Sequence, residues 1–376
     1  DSTALLHALG NLKAQLNIPV SAVHINHGLH SQANSWQHFC EQFCQRFNIK
    51  LTCLNIELSH QSGKGLEAEA RHLRYLAIST LLTEGATLLT AHHADDQAET
   101  LLLNLMRGSG VDGLSAMPEH RVLGNGFLQR PLLGFENGDL INYLKRHEID
   151  WVDDPSNQYL NHDRNFVRHE LIPLLEQRWK NVNKRLLLTR EAMAGARVLL
   201  ERLADEYLEH HLEHPHVLKI TPALIDDSHL LKLVTRRWVQ TSGAASIPAH
   251  RLTSFYLQLK TADSNNHVEL CWDDWTIRFY KNQLWLMRNT AFSSCPDITW
   301  PKQMSEIDLG PDIGLVSIQT SAPDNLPESG FTAHSEVLSV TARSNVRSDT
   351  IKIGGQSKSL KKLFQAAGAP PWLRDS

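Results

Sequence analysis

The first 150 residues alternate between short apolar segments and amphipathic segments, and this alternation constrains the fold more than any other feature. The apolar segments are typical of buried strands and lie at 20–26, 51–58 and 87–91. The amphipathic segments are typical of helices and lie at 2–16, 36–47, 66–82 and 94–107. Strands that alternate with crossover helices form a parallel sheet with helices on both faces. Ligands bind at the carboxyl ends of such strands, so we expect a site after Asn26 or after Ala91.

The chain beyond this region is predicted to be mostly helical, with strands after the helices. A long amphipathic helix is predicted from Lys184 to about residue 212, and further helices reach about residue 259. The segments HVELCWDDWTIRFY and QLWLMR predict a hairpin that turns at Lys281 and Asn282. Alternation within this hairpin favours core positions over a stacking platform for its tryptophans, which are Trp272, Trp275 and Trp285.

These patterns divide the chain into four predicted segments. Residues 1–183 form an α/β catalytic domain, and residues 184–290 form a mostly helical middle domain with a hairpin. Residues 291–345 form a linker or the start of a C-terminal unit, and residues 346–376 form part of a small α+β C-terminal domain. Both ends look like cuts in a longer protein, because the chain begins at Asp1 without a methionine and stops after PPWLRDS.

Composition narrows the class of partner and the compartment. The net charge of −4 gives no global field for a nucleic acid, so such a partner would bind local basic patches, which lie at 164–190 and 343–374. No run of 18 apolar residues occurs, so we expect no membrane span. The five cysteines are scattered and odd in number, which favours free thiols and a cytoplasmic location.

The stretch from 91 to 117 concentrates polar side chains where a buried strand gives way to a helix. His92, Asp96 and Glu99 are spaced four and three residues apart, which places them along one edge of the helix. Asp95 or Asp96 can cap the helix, and the alternative is that the acids are only caps. Carboxylates here can hold Mg²⁺ or orient an attacking amine. A neutral His92 could contact a base or phosphate, and a charged one could stabilise a phosphate.

Several blocks resemble those of the tRNA(Ile)-lysidine synthetases, a family of PP-loop ATP pyrophosphatases. The blocks are AHHADDQAET, RGSGVDGLSAM, NHGLH, LEAEARHLRY, DDPSN, RNFVRHELIPLL, the opening DST and the tail KSLKKLFQAAGAPPWLRDS. The resemblance is densest in residues 1–175 and weakest from about 291 to 345. It implies a Rossmann-like, parallel-sheet PP-loop ATPase domain followed by the helical and α+β domains.

The resemblance also implies a reaction and its partners. With ATP and Mg²⁺, such enzymes ligate L-lysine to the wobble cytidine of tRNA(Ile) with a CAU anticodon. ATP adenylates the cytosine oxygen and releases pyrophosphate, and the lysine ε-amine then displaces AMP to give lysidine. The modification changes the codon and aminoacylation specificity of the tRNA from methionine to isoleucine. A homodimer is expected as one option.

Site residues are carried over from the resembling blocks. Asp1 and Ser2 match the end of the phosphate loop, with Asp1 near the metal, and His27 and Gly28 are predicted to contact the nucleotide, with loop packing as the alternative for His27. The predicted reaction centre consists of His92, Asp96 and Glu99, where Glu99 handles the lysine amine. The predicted phosphate or lysine-carboxylate clamps are Arg71, with an ion pair to Glu67 as its alternative, and Arg164. The predicted tRNA-binding residues are Arg168, Arg178, Lys184, Arg185, Lys358, Lys361 and Lys362.

Three other readings of the sequence stay open. His92, His93, Asp95 and Asp96 could form the metal cluster of a phosphohydrolase. A PP-loop tRNA thiolase is the second, although Cys40 and Cys44 form CxxxC rather than the paired CxxC motifs of such enzymes. A non-catalytic RNA-binding protein is the third, because the glycines of the phosphate loop are absent. The enzyme assignment requires that Asp96 and Glu99 are not buried in ion pairs remote from Asp1.

Overall fold

Strands and helices alternate through the first 130 residues of the computed structural model. The structure describes residues 1–26, 32–56, 66–262 and 268–289, with short strands and single residues after 297. It divides into two compact units, Asp1–Leu200 and Glu201–Ser376. This division falls inside one continuous helix, Val182–His211, and the domain boundary between residues 183 and 184 stays a prediction.

The first unit contains short strands and nine helices or parts of helices in its described residues. Its helices are α1 (Ser2–Leu16), α2 (Ala33–Arg46), α3 (Leu66–Ser79), α4 (Ala94–Met106), α5 (Val111–Leu114), α6 (Asn137–Arg146), α7 (Asp163–Phe166), α8 (Ile172–Arg178) and the start of α9 (Val182–His211). Its strands are β1 (Ser21–Asn26), β2 (Lys50–Asn55), β3 (Thr87–Leu89), β4 (His120–Leu123) and β5 (Gly126–Gln129). A 3₁₀ turn covers Pro155–Gln158, and a π-helical turn, Val167–Leu171, joins α7 to α8.

The strands of the first unit pair mainly in parallel, as predicted. β1 runs parallel to β2, and β3 runs parallel to β5 with Leu89 opposite Gln129. β4 was not predicted and forms an antiparallel hairpin with β5. Gly126 lets the hairpin pack closely against the backbone at Ala86, because a Cβ at position 126 would lie 2.2 Å from the Ala86 carbonyl oxygen. The carboxyl ends of β3 and β5 therefore lie side by side.

Helix α4 is buried on two faces in its first turns. Helical periodicity predicts a core-facing stripe on α4 that consists of Leu101, Leu102, Leu105 and Met106. The prediction is confirmed for Leu101 and Leu102, which are buried, and is wrong for Leu105 and Met106, which are exposed. Asp96 and Glu99 are buried as well, so the polar edge of α4 faces other protein groups and not open solvent.

The second unit packs helices against an antiparallel sheet. It contains the end of α9, then α10 (Pro222–Asp226), α11 (Ser228–Thr241) and α12 (Ala249–Thr261), with strands β6 (Leu212–His214), β7 (Val217–Lys219), β8 (Val268–Trp272), β9 (Trp275–Tyr280) and β10 (Gln283–Arg288). The sheet order is β6-β7-β10-β9-β8. The predicted turn at Lys281 and Asn282 is confirmed, and both have positive φ. The longer predicted segment is two strands, because the chain also turns at Asp273.

Local sequence explains where the helices of this unit begin. Thr221 caps α10 by accepting the Leu224 N–H, with Pro222 in the first helical position. Asp227 caps α11 in the same way through the His229 and Leu230 N–H groups. The core between helices and sheet contains Trp238 and Trp272, so the core position predicted for Trp272 is confirmed.

The remaining described segments are short paired strands. They are β11 (Ile298–Pro301) with β14 (Val337–Val340), β12 (Glu306–Asp308) with β13 (Leu315–Ser317), and β15 (Thr350–Ile353) with β16 (Gln356–Ser359). The segment 291–345, expected as a linker or the start of a unit, thus contains strand pairs. In the described parts of the chain, the helices are all too short or too polar to cross a bilayer.

Candidate active site

The candidate site begins where β3 ends and α4 starts. His93 occupies the N-cap of α4, and its N–H donates to Oδ2 of Asp96 at 3.0 Å. The Ala94 N–H donates to the Phe135 carbonyl oxygen at 2.8 Å, which fixes the strand end against the loop before α6. The capping role predicted for Asp96 is therefore confirmed, but it uses only one of the two carboxylate oxygens.

The second oxygen of Asp96 and both oxygens of Glu99 bind two arginines. Arg164 donates from Nε to Oε2 of Glu99 and from Nη2 to Oδ1 of Asp96, each at 2.7 Å. Arg168 donates from Nε to Oε1 of Glu99 at 2.6 Å and from Nη2 to Oδ1 of Asp96 at 3.1 Å. We call these four side chains the acid–arginine cluster. Its two carboxylates and two guanidiniums balance in charge.

Backbone geometry brings both arginines to the same place. Arg164 lies in α7, and Arg168 lies four residues later in the π-helical turn, so the two guanidiniums project from one face. Single π turns inside helices occur frequently at functional sites. Arg164 was predicted at the reaction centre, whereas Arg168 was predicted on a tRNA-binding surface. The structure places Arg168 in the acid–arginine cluster, where its guanidinium is already paired.

His93 connects the acid–arginine cluster to Asp1, and the sequence reasoning did not single out this role. Its side chain is 1% exposed. Its Nε2 lies 3.5 Å from Oδ2 of Asp1 and 3.6 Å from Oδ2 of Asp96, and 3.3 Å from the Asn137 amide nitrogen. Asp96 and Glu99 are thus buried in ion pairs, but they are not remote from Asp1. The enzyme assignment would have failed only if these acids were both buried in ion pairs and remote from Asp1. They are buried in ion pairs but lie near Asp1, so that condition is not met.

Asp95 lies on the Nδ1 side of the His93 ring. Its Oδ2 accepts the Asn137 N–H at 2.7 Å and lies 3.4 Å from Nδ1 of His93. Its Oδ1 accepts from the Asn183 side chain at 2.5 Å. His93 and these amide donors lower the pKa of the Asp95 carboxyl below its usual value. Asp95 therefore joins α4 to α6 and to the start of α9.

His92 is held in the neutral form beside the acid–arginine cluster. Its Nδ1 lies 2.9 Å from the Thr90 hydroxyl. Burial lowers the pKa of His92 to about 4; Asp96 opposes this shift, and the positive charges of Arg130, Arg164 and Arg71 add to it. Of the two roles considered for His92, contact with a base or phosphate by a neutral ring fits this environment.

Asp96 and Arg168 keep their charges in the folded protein. Burial alone would raise the pKa of the Asp96 carboxyl, but Arg164 and His93 more than offset it, so the pKa lies below its usual value. Burial likewise lowers the pKa of Arg168, and its hydrogen bonds to Glu99 reverse the sign, so the pKa lies above its usual value. Both shifts favour the ionised forms.

The other predicted site residues fall outside the acid–arginine cluster. Arg71 is exposed, with its guanidinium carbon 5.3 Å from the centre of the Tyr75 ring. The side chain of Glu67, the alternative partner of Arg71, lies outside the described residues. The whole of His27 and Gly28 also lies outside them. Ser2 is the first residue of α1, directly after Asp1 at the N-cap.

The predicted tRNA-binding residues are mostly exposed where they are described. Arg178, Lys184 and Arg185 are exposed around the end of α8 and the start of α9. Lys362 is exposed as well. The side chain of Lys358, in β16, and the whole of Lys361 lie outside the described residues. Contact with tRNA stays a prediction for all of them.

The alternative metal centre is not formed. Within the described ranges, no three or more His, Cys, Asp or Glu side chains are arranged to hold a metal ion. His92, His93, Asp95 and Asp96 instead bond to Thr90, to one another and to neighbouring amides. Among the cysteines, burial raises the pKa of Cys40 to about 11 and raises that of Cys44, which keeps both thiols protonated.

Two family comparisons match this chain. The PP-loop domain family matches residues 1–175, which contain α1 to α7, the start of α8 and the acid–arginine cluster. The family described as the TilS substrate C-terminal domain matches residues 338–376.

Characterised relatives match over the whole chain. The tRNA(Ile)-lysidine synthase of Alkalilimnicola ehrlichii is 38% identical over 380 residues, covering 100% of this chain and 83% of the relative. The tRNA(Ile)-lysidine synthase of Shigella flexneri is 33% identical over 377 residues, covering 100% of this chain and 86% of the relative. That of Coxiella burnetii is 34% identical over 378 residues, covering 100% and 83%. A solved U34-tRNA thiolase from Methanococcus maripaludis matches at a TM-score of 0.41 and 15% identity, covering 51% of this chain and 67% of that one, which is too low to support a conclusion.

Proposed function

The chain belongs to the tRNA(Ile)-lysidine synthase family, and from this premise we propose that its acid–arginine cluster receives the lysine amine during ATP-dependent ligation of lysine to tRNA. The acceptor is the wobble cytidine of tRNA(Ile) with a CAU anticodon. The enzyme is a carbon–nitrogen ligase that converts ATP to AMP and pyrophosphate. The product is lysidine.

The chemistry needs activation followed by substitution at one ring carbon. The cytosine oxygen attacks the α-phosphorus of ATP, and pyrophosphate leaves. The lysine ε-ammonium loses one proton to become a nucleophile, and its nitrogen forms a bond to ring carbon two. The bond from that carbon to the oxygen of AMP breaks, and one further proton passes from the nitrogen to solvent. The exocyclic oxygen is a poor leaving group until it is adenylated. The protein therefore contributes mainly positioning and charge stabilisation.

Charge exchange in the acid–arginine cluster is the step that we assign to Asp96 and Glu99. Both carboxylates accept hydrogen bonds from Arg164 and Arg168. A lysine ε-ammonium carries the same positive charge as a guanidinium and can donate to the same carboxylate oxygens. It can therefore take the place of one arginine side chain. Arg164 donates two hydrogen bonds to these acids and Arg168 donates three, so Arg164 is the better candidate to move away. A displaced Arg164 would then be free to stabilise a phosphate.

The phosphate end of the site is assigned to Asp1, Ser2 and the start of α1. Backbone N–H groups at a helix N-terminus bind phosphate, and α1 begins at Ser2. The Asp1 carboxylate is 42% exposed, accepts a long hydrogen bond of 3.4 Å from the Asn137 amide and lies 3.5 Å from Nε2 of His93. Such a carboxylate fits Mg²⁺, which uses one or two protein carboxylates together with phosphate oxygens. Mg²⁺ bound with ATP would neutralise the triphosphate charge.

The tRNA is assigned to the exposed basic residues. Arg178, Lys184 and Arg185 follow the acid–arginine cluster along the chain and are free to contact phosphates of the anticodon arm. Lys358, Lys361 and Lys362 belong to the C-terminal segment and are proposed to contact the body of the tRNA. The wobble base must leave its stack to react, as in other base-modifying enzymes.

The observation that carries this proposal is the bridge from Asp1 through His93 to Asp96, because it joins the phosphate end to the acids. The test incubates full-length protein with ATP, isotopically labelled lysine and CAU-anticodon tRNA(Ile), followed by mass spectrometry of the nucleosides. Labelled lysidine is expected. The matched control is the same tRNA with uridine at the wobble position, which should give none. Absence of lysidine with the CAU tRNA would contradict the proposal.

A cytoplasmic location and a homodimeric state remain predictions. Analytical ultracentrifugation of the full-length protein tests the second. A single species at the monomer mass across the working concentration range would exclude the dimer.

A further inference from the structure

Arg130 is a buried arginine at the carboxyl end of β5, beside the candidate site. It directly follows β5, and β5 runs parallel to β3 with Gln129 opposite Leu89. The Thr90 N–H donates to the Gln129 carbonyl oxygen at 3.0 Å, which holds the two strand ends together. His92 and Arg130 therefore leave neighbouring strands at the same edge of the sheet. Ligands of α/β proteins bind at this edge.

The Arg130 guanidinium is incompletely partnered. The residue is 2% exposed, and its Nη1 donates to the Pro118 carbonyl oxygen at 2.6 Å. The side chain also hydrogen-bonds Tyr75, which raises its pKa, but burial is the larger effect and leaves the pKa of Arg130 below its usual value. Its Nε is buried and has no hydrogen-bond partner in the described part of the chain. A buried cation with an unused donor costs folding free energy unless an anion pairs with it.

Further positive charge surrounds this arginine. The guanidinium carbons of Arg71 and Arg121 lie 5.3 and 5.0 Å from the centre of the Tyr75 ring, and both residues are exposed. Within the described ranges, Arg71, Arg121 and Arg130 form no ion pair with a carboxylate. The acids nearby cannot balance these charges, because Asp96 and Glu99 are already paired with two other arginines.

We propose that Arg130, with Arg71 at the entrance, binds the oxyanion of a substrate beside His92. The inference rests on the proposed function, because that reaction has two substrates with an oxyanion, the lysine α-carboxylate and the ATP phosphates. A guanidinium binds either group through paired N–H donors, and a buried one does so with little competition from water. The unused Nε supplies such a donor. Arg130 thus adds a binding residue to a site whose other members lie on α4 and α7.

The test compares Arg130→Met and Arg130→Lys with a matched control, Arg190→Met. Arg190 is also a partly buried arginine that donates to backbone carbonyls, those of Ser115 and Met117, next to the Pro118 carbonyl that binds Arg130. The control therefore removes similar structural hydrogen bonds without touching the strand ends. Steady-state KM values are measured for lysine, for ATP and for cadaverine, which is lysine without its carboxylate. Calorimetric binding of lysine and of ATP accompanies them and needs no turnover.

Arg130→Met is expected to raise KM, and to weaken binding, about tenfold or more for one oxyanion-bearing substrate, while Arg190→Met stays within about twofold. If the carboxylate binds Arg130, the variant loses the preference for lysine over cadaverine and keeps its KM for ATP. If a phosphate binds there, the KM for ATP rises and the preference for lysine stays. Arg130→Lys, which keeps the charge, should recover part of the loss and serves alone if Arg130→Met does not fold.

Two results would overturn the inference. One is unchanged binding of both lysine and ATP in a folded Arg130 variant. The other is an equal loss in Arg190→Met, which would assign the effect to the backbone around Met117 and Pro118. Failure of the proposed function gives a different result, since the unaltered protein would then form no lysidine whatever the calorimetry of the variants shows.

Discussion

Nε of Arg164 lies 2.7 Å from Oε2 of Glu99, although 65 positions separate the two residues in the chain. This contact joins α7 to α4 and closes one side of the candidate site. It also means that Glu99 has two roles, because the carboxylate proposed to receive the lysine amine also holds two arginines in place. Function and stability are therefore coupled at this residue.

Replacing Glu99 with glutamine should abolish lysidine formation and also destabilise the fold. The neutral amide cannot balance Arg164 and Arg168, and breaking a buried pair on one side costs about 3 kcal/mol. Lysidine is measured by nucleoside mass spectrometry and the free energy of unfolding by denaturant titration. Glu84→Gln, at an exposed turn acid, is the control for stability. Normal turnover of Glu99→Gln would place the amine elsewhere.

Arg168→Met should act on lysine and not on tRNA. Its guanidinium donates to both oxygens of Glu99 and to Asp96, so its loss should change the lysine KM and the stability. The affinity for tRNA and its dependence on salt should stay unchanged, because those depend on contacts with phosphates. Filter binding at several salt concentrations measures both. A lower salt slope in this variant would restore the original expectation of a tRNA contact.

Exposed basic residues should show the opposite behaviour. Arg178→Ala and Arg185→Ala should each weaken tRNA binding and reduce the slope of log affinity against log salt by about 1 for each lost phosphate contact. The KM for lysine should stay the same, since neither side chain enters the acid–arginine cluster. Variants that bind tRNA with the parent slope would remove α8 and the start of α9 from the interface.

Acid should destabilise the protein through His92 before it protonates the carboxylates. The pKa of His92 falls from its ordinary 6.5 to about 4 on folding. The unfolded chain therefore binds more protons between these values, so stability falls as pH drops through this window. Asp96, whose pKa is also lowered, adds a further loss at lower pH.

His92→Gln should remove the part of this loss that lies above about pH 4. The glutamine amide can still bond the Thr90 hydroxyl, which makes the variant a fair comparison. Denaturant titrations at a series of pH values measure the slope of stability against pH. An unchanged slope in the variant would show that other groups cause the acid loss.

Sequence patterns located the end of β3 to within two residues, the start of α4 and the acids on it, because helical periodicity and strand length are local properties. Several bounds agree with the structure, including that of α1 at Ser2–Leu16. The blocks of family resemblance likewise implied the reaction.

Only the tertiary structure decided which groups those acids bind. The pairing of Arg168 with Glu99, the bridge from Asp1 through His93 to Asp96, and the place of Arg130 beside His92 all join distant segments. No local pattern marks them, since an arginine in a basic stretch reads the same whether it faces solvent or a buried carboxylate. The charge of the groups around such an arginine depends on which strand ends and helices pack against it. That packing turned a predicted surface cation, Arg168, into a partner of the acids, and left Arg130 buried with a donor to spare.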